Sequence, residues 1–345
     1  MTEPYRIAIV GAASLRGKEL NEALTESAFA GSDFLLLDDQ QALGRLETVG
    51  DEVSFIQGIT PDSFDRVDFT FFAEDAAVTQ LHWQNALRAG SSIVDLSYAL
   101  EGEAGVLVRA PWIDEDTPVS AAPGLQTPAI VSAHPAALAL ALLLGRVQAA
   151  GAIDHVSATV LEPASEYGRA AMDELHQQTV ALLSFQSLPK SVYDIQVAFN
   201  AIVAAGESAK VNLAETEERI RRHYALLAGG RLPRTSLQLV HLPVFHGHCF
   251  SIAVHFERPV ALEHVEAALS GAHVEIVSGD PDAPSNLSSA GQEEILVRVR
   301  SQIASGAPSR TFWLWASTDN LKLAVRNAVE CAQEMRGLRP RGVVQ

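Results

Sequence analysis

Three histidines, His241, His246 and His248, crowd the stretch HLPVFHGHC. Imidazole titrates near neutral pH and ligates metals, so such a cluster could hold a metal or supply a general base. A metal needs a further carboxylate or cysteine with fitting geometry, and we assign none. Cys249 adjoins His248, but neighbours on an extended strand point to opposite faces, which argues against a catalytic pair. Cys331 falls in a helical pattern and reads as core.

A second candidate site is the turn GAASLRG at residues 11–17. A dinucleotide needs a tight turn, bare backbone against its pyrophosphate, and close helix packing. Gly11 and Gly17 supply the two ends; Ser14, with Leu15 after it, stands in the middle, where a side chain crowds the phosphate. Asp38 and Asp39 close the next apolar segment. An acid there can bond a ribose 2′-hydroxyl and repels a 2′-phosphate, so any cofactor would be NAD rather than NADP. Glu74 and Asp75 close the segment after that and raise the cost of an anion at the cleft lip. A Rossmann-like fold with no nucleotide stays open beside the cofactor reading.

A third stretch, VSAHPAALALALLLG at 131–145, passes from a strand-like start through a proline into a helix. Such a break commonly carries an enzyme's nucleophile. Here the candidate positions hold only alanine and leucine.

The elements that must position these residues follow from periodicity. IAIV, DFLLLDD, VDFTFFAED and SSIVDLS are short apolar runs. The first two are separated by a helix-period stretch (Leu15, Leu20, Leu24) and the last two by TQLHWQNALRAG, which Gly90 stops. This alternation predicts an α/β fold: a Rossmann-like doubly wound parallel sheet over residues 1–128, with TPVSAAPG as a strand entering a turn. From residue 129 the pattern changes. A long apolar helix from Pro135, the strand DHVSATVLEP, and helices in GRAAMDELHQQTVALL and AETEERIRRHYALLAGG predict an α+β unit over 129–316. TSLQLVHLPVFHGHCFSIAVHFE reads as one long strand bent at Pro243 and Gly247, and TFWLWAS as another. Residues 317–345 hold a closing helix, stopped by Gly337, that packs back on the first domain. GDPDAPSNLSSAG at 279–291 reads as the most mobile loop.

Composition bounds the class. The 345 residues carry 25 basic and 42 acidic side chains, a net charge of −17, which disfavours nucleic acid and anionic membranes. The longest apolar run, Ala136–Leu144, falls short of the ~20 residues that span a bilayer. The strand starting near Tyr5 leaves no room for a signal peptide, and two cysteines make no disulfide framework. The expectation is a cytoplasmic protein.

In order and spacing these motifs resemble the aspartate-semialdehyde dehydrogenase family over nearly the whole chain. IAIVGAASLRGKEL is similar to its Gly-Ala-Thr-Gly-x-Val-Gly opening, SSIVDLSYAL to its Val-Ile-Asp-x-Ser-Ser segment, and GRAAMDEL to its Gly-x-Gly-x-x-Gly-x-x-Glu-Leu stretch. VYDIQVAFNAIV, LPVFHGHCFSIAVHFERPV and STDNLKLAVRNAV resemble its Ala-Phe-Asn, Val-Pro-Val-x-x-Gly-His-Ser and Ala-Asp-Asn-Leu blocks.

The resemblance implies a reaction in which a cysteine attacks an aldehyde, hydride passes to NADP, and phosphate releases an acyl phosphate. The family's Asn-Pro-x-Cys turn corresponds to His134-Pro135-Ala136-Ala137, so Ala137 stands at the nucleophile position, with Leu138 and Ala139 where hydroxyl residues follow. The substrate-orienting glutamine corresponds to Glu162, and the arginine gripping the substrate carboxylate to His241. The phosphate arginine falls at Leu100 or Glu101. The general base is retained as His248, and Asn320 keeps the residue that approaches the nicotinamide. Ser132 lies upstream of Pro135 with no base placed to activate it. A methyl group cannot form a thiohemiacetal.

The chain thus resembles the Usg-type branch, which lacks the cysteine. Two readings follow. One is a homodimer without the family activity that binds a small ligand or pairs with an active paralogue. The other is an enzyme of altered chemistry using His248, Glu162 and NAD or NADP.

Overall fold

The computed structural model describes residues 4–39, 42–49, 52–73, 75–116, 122–278, 283–303 and 306–338. Glu74, residues 117–121 of the expected TPVSAAPG strand, and residues 279–282 of the expected mobile loop lie outside them. The chain divides into two compact units.

The first unit comprises Met1–Glu115, Ser120–Ala133 and Ala324–Gln345. Its strands are β1 (Arg6–Val10), β2 (Asp33–Asp38), β3 (Leu46–Val49), β4 (Glu52–Phe55), β5 (Gln57–Gly58), β6 (Phe69–Phe72), β7 (Ser92–Asp95), β8 (Leu107–Arg109) and β9 (Ala129–Ser132). Seven of them form one sheet, β5-β2-β1-β6-β7-β9-β8, parallel at every pairing. Strands β3 and β4 make a separate antiparallel hairpin.

The runs are apolar throughout because both faces of this sheet are covered. Side chains alternate across the faces, and two cores result. Ile7, Ile9, Leu36, Phe69, Phe71 and Val94 pack with Leu20 and Leu24 of α1 (Leu15–Thr25) and with Val325, Ala328 and Cys331 of the closing helix. Ala8, Val10, Leu35, Leu37, Phe72 and Ile93 pack with Trp83 and Ala86 of α2 (Ala76–Arg88). A short α3 (Pro111–Asp116) follows β8.

The second unit comprises Asp116–Val119 and His134–Leu323. It holds α4 (Pro135–Val147), β10 (Ile153–Glu162), α5 (Gly168–Leu183), α6 (Leu213–Ala228), β11 (Thr235–His241), β12 (His248–Val260), α7 (Leu262–Leu269), β13 (Val274–Ile276), β14 (Ile295–Ser301) and β15 (Ser309–Thr318). The six strands form a mixed sheet, β11-β10-β12-β15-β14-β13. Helix α4 is buried nearly all round, as its unbroken Ala/Leu composition requires. It meets α6 and α7, which also lie on β11 and β14.

Three expectations need correction. The segment through Pro243 and Gly247 is not one bent strand: β11 runs parallel and β12 antiparallel to β10, on its opposite edges. Residues 242–247 cross between them, with Gly247 at φ 87°. Strand β14, absent from the sequence reading, fills the sheet beside β15, with Arg298 and Arg300 alternating with buried valines. The closing helix, α8 (Asn320–Leu338), runs past Gly337, which has no positive φ to end it. Among the described residues no helix is long and apolar enough to cross a membrane.

Candidate functional site

In the first unit the sheet's carboxyl end carries the glycine turn. Gly11 adopts φ 84°, a conformation that glycine alone takes without strain. At Gly17 any Cβ would sit 2.1 Å from the Gly11 carbonyl oxygen, so the helix packs on the turn only because that side chain is absent. Ser14 is the N-cap of α1: its Oγ accepts from the Gly17 amide at 2.9 Å. Asp38 reaches back from the end of β2, and its Oδ2 accepts from the Ala13 amide at 2.7 Å. Leu15 opens the helix, half-buried. The framework therefore fits a dinucleotide, but two amides of the turn are already capped by the chain's own oxygens.

Asp75 does not end a strand; it caps α2, accepting from Ala77 and Val78 amides. A cation that the sequence reading passed over, Arg16, is buried at the turn, donating to the Leu96 carbonyl at 3.3 Å and lying over the Tyr98 ring. Downstream, Leu100 is fully buried, and its amide donates to Asp95. Burial pushes the Asp95 carboxyl up to about 6 against the hydrogen bonds from Ser97 and Leu100. Ser132 Oγ, in the same unit, accepts from Asn327 at 2.8 Å.

The second unit gathers most of the remaining candidates. Ala137 is the third residue of α4 and has no exposed surface. A thiol there would sit at the positive end of the helix dipole, where thiolates are stabilised; a methyl group gains nothing from it. His134 is the N-cap, its Nδ1 accepting from the Ala136 amide at 3.2 Å. Its Nε2 lies 3.3 Å from Glu166 Oε1.

Glu166 lies in the 3-10 turn between β10 and α5. Its Oε2 accepts from Asn320 Nδ2 at 3.3 Å and stands 3.8 Å from His248 Nε2. Asn320 in turn accepts at Oδ1 from Ser165 Oγ and from the Gly247 amide, both at 3.1 Å. His248 and Asn320, assigned separate roles from sequence, thus meet at a residue the sequence reading missed. Its only signal was its place, four residues after Glu162 in EPASEYG.

Glu162 and His241 form the second pair, fully buried, with His241 Nδ1 3.4 Å from Glu162 Oε1. The parallel register of β10 and β11 puts them side by side at the strand ends. Burial raises the Glu162 carboxyl, opposed by His241. Tyr167 and Tyr193 wall the imidazole at ring separations of 6.0 and 4.9 Å, and burial raises both phenols. His246 lies apart in the crossing turn. Among the described residues no three His, Cys, Asp or Glu side chains are placed to hold a metal ion.

The two thiols are poor nucleophiles. Burial pushes Cys249 up to about 11 and raises Cys331 further, in the first unit's core.

A parallel sheet opened by a glycine turn, in one chain with a mixed-sheet unit bearing histidine–carboxylate pairs, is the architecture of two-domain dehydrogenases. Within that class the chain belongs to the semialdehyde dehydrogenase family: residues 6–123 match its NAD binding domain and residues 144–323 its dimerisation domain. A USG-1 protein homolog of Pseudomonas aeruginosa is 30% identical, over 95% of this chain and 97% of that one. An aspartate-semialdehyde dehydrogenase of Rickettsia bellii is 26% identical, over 97% and 98%. Among solved structures, a probable aspartate-semialdehyde dehydrogenase from Pseudomonas aeruginosa superimposes with a TM-score of 0.81 at 27% identity, covering 96% and 98%. Aspartate semialdehyde dehydrogenase II of Vibrio cholerae shares the fold at a TM-score of 0.83 and 22% identity, covering 99% and 100%.

Proposed function

We propose that this protein does not catalyse the family reaction and acts instead as a cytoplasmic binding or regulatory homodimer. Its partner is a small ligand in the former reaction site or an active paralogue. The observation that carries this reading is Ala137, a methyl group with no exposed surface at the third position of α4. Losing an essential nucleophile costs on the order of 10⁶-fold in turnover. His241, and Leu100 or Glu101, in place of two anion-binding arginines weaken the hold on substrate and phosphate further.

The dimer reading is supported by the match to a dimerisation domain and by an open sheet face. Thr159, Ser251, Trp313, Trp315, Arg298 and Arg300 lie on that face while their strand neighbours are buried.

A second reading keeps enzymatic chemistry, in which His248 and Glu162 act on a small aldehyde or amino-acid intermediate with NAD or NADP. The glycine ends of the turn, Gly11 and Gly17, and the retained Asn320 favour it. A bound nicotinamide would supply a hydride acceptor; this chain's residues would orient the substrate and move the proton.

Two assays separate the readings. Aspartate semialdehyde, phosphate and NADP should give no turnover with the purified protein; turnover near that of an active enzyme would end the first reading. Melting-temperature shifts with NAD or NADP in the low millimolar range would favour the second, and no shift with either the first.

A further inference from the structure

We propose that Glu166 is a resident anion: its carboxylate fills the place between His134, His248 and Asn320 that an anionic group of a small molecule would take. The site is thereby closed to carboxylates and phosphates and left for neutral or cationic ligands. This deepens the binding reading above by naming the ligand class.

Three groups converge on that carboxylate, and the orientation of two is fixed by bonds elsewhere. His134 Nδ1 accepts from the Ala136 amide, and its Nε2 lies 3.3 Å from Oε1. Asn320 Oδ1 is occupied by Ser165 and Gly247, so its amino group points to Oε2. His248 Nε2 closes the third side. An imidazole, an amide and a second imidazole, held rigidly at a helix N-terminus, form a ready anion receptor. Here the anion is tethered to the chain, and its side chain is only 4% exposed. A dissolved anion must compete with a partner of very high effective concentration and meets like charge from Glu166 itself.

The test compares wild type, Glu166→Ala and Glu166→Gln. Melting temperatures are followed as formate, acetate or inorganic phosphate is titrated to about 100 mM against chloride at matched ionic strength. Wild type should respond to none beyond the chloride control. Glu166→Ala, which strips the receptor of its anion, should melt lower and recover about 3 °C or more with formate, saturably. Glu166→Gln, which fills the space without charge, should not recover. Equal stabilisation of wild type, or a folded Glu166→Ala blind to all three anions, overturns the proposal. Should Glu166→Ala fail to fold, the imidazole ¹⁵N resonances of wild-type His134 and His248 decide. They should not move with phosphate or formate, and saturable movement overturns the proposal. Turnover in the enzyme assay would sink the function reading and leave this result untouched.

Discussion

His241 Nδ1 lies 3.4 Å from Glu162 Oε1, and neither side chain has any exposed surface. A substrate carboxylate entering beside this pair would meet a buried acid in place of an arginine.

Restoring the thiol alone should therefore not restore the enzyme. Ala137→Cys adds a sulfur where no surface is open, at a cost of about 1–3 kcal/mol in overpacking. We expect a lower melting temperature and no turnover with aspartate semialdehyde, phosphate and NADP. Recovery from this one change would mean that the anion-binding positions were assigned wrongly.

Stability should fall as pH rises through the window set by Asp95. Its folded-state carboxyl is raised from 3.8 to about 6, so between those values the native state holds a proton that the unfolded chain has lost. That contribution is full in acid and disappears above about pH 6. Glu162 is shifted in the same direction, by burial first. Calorimetry of Asp95→Asn and Glu162→Gln should show a shallower decline of melting temperature from pH 4.5 to 7.5 than wild type. Identical slopes in all three would exclude both carboxyls as the source.

Arg109 should be indispensable to the first unit. It is 2% exposed, and its Nε donates to Glu334 Oε2 at 3.1 Å while a second nitrogen bonds the other oxygen. Arg109→Ala should cost about 3–5 kcal/mol in urea unfolding, because it leaves a carboxylate without its fork. Arg109→Lys should recover only part, since an ammonium cannot make both bonds at once. Full recovery by lysine would reduce the pair to simple charge.

Trp313 should report the proposed dimer. It is 43% exposed on β15, opposite Arg300 in the register. Trp313→Glu should convert a dimer to a monomer in sedimentation equilibrium, with the fold retained by circular dichroism. A variant that stays dimeric would move the interface off this sheet face.

Much of the architecture was legible in the sequence because it rests on local periodicity. The runs IAIV and FTFF must be buried on both faces, and that demand predicts a parallel sheet. Gly11, Ser14 and Gly17 announced a turn by type and spacing, and Asp38 announced the strand end beside it. Strand β14 was less legible because its outward arginines broke the apolar run. Glu162, His241, His248 and Asn320 could be singled out by motif.

What they touch is another matter. Sequence by itself determined most strands of the parallel sheet, the glycine turn and the absence of a thiol at residue 137. Only the tertiary structure decided that Glu166, between β10 and α5, joins imidazoles from residues 134 and 248. It alone decided that Arg109 is neutralised by Glu334, 225 residues away. Burial makes an unpartnered charge too costly to keep, so Arg109 is held beside Glu334. Sequence carries the charge, but the partner is chosen by packing.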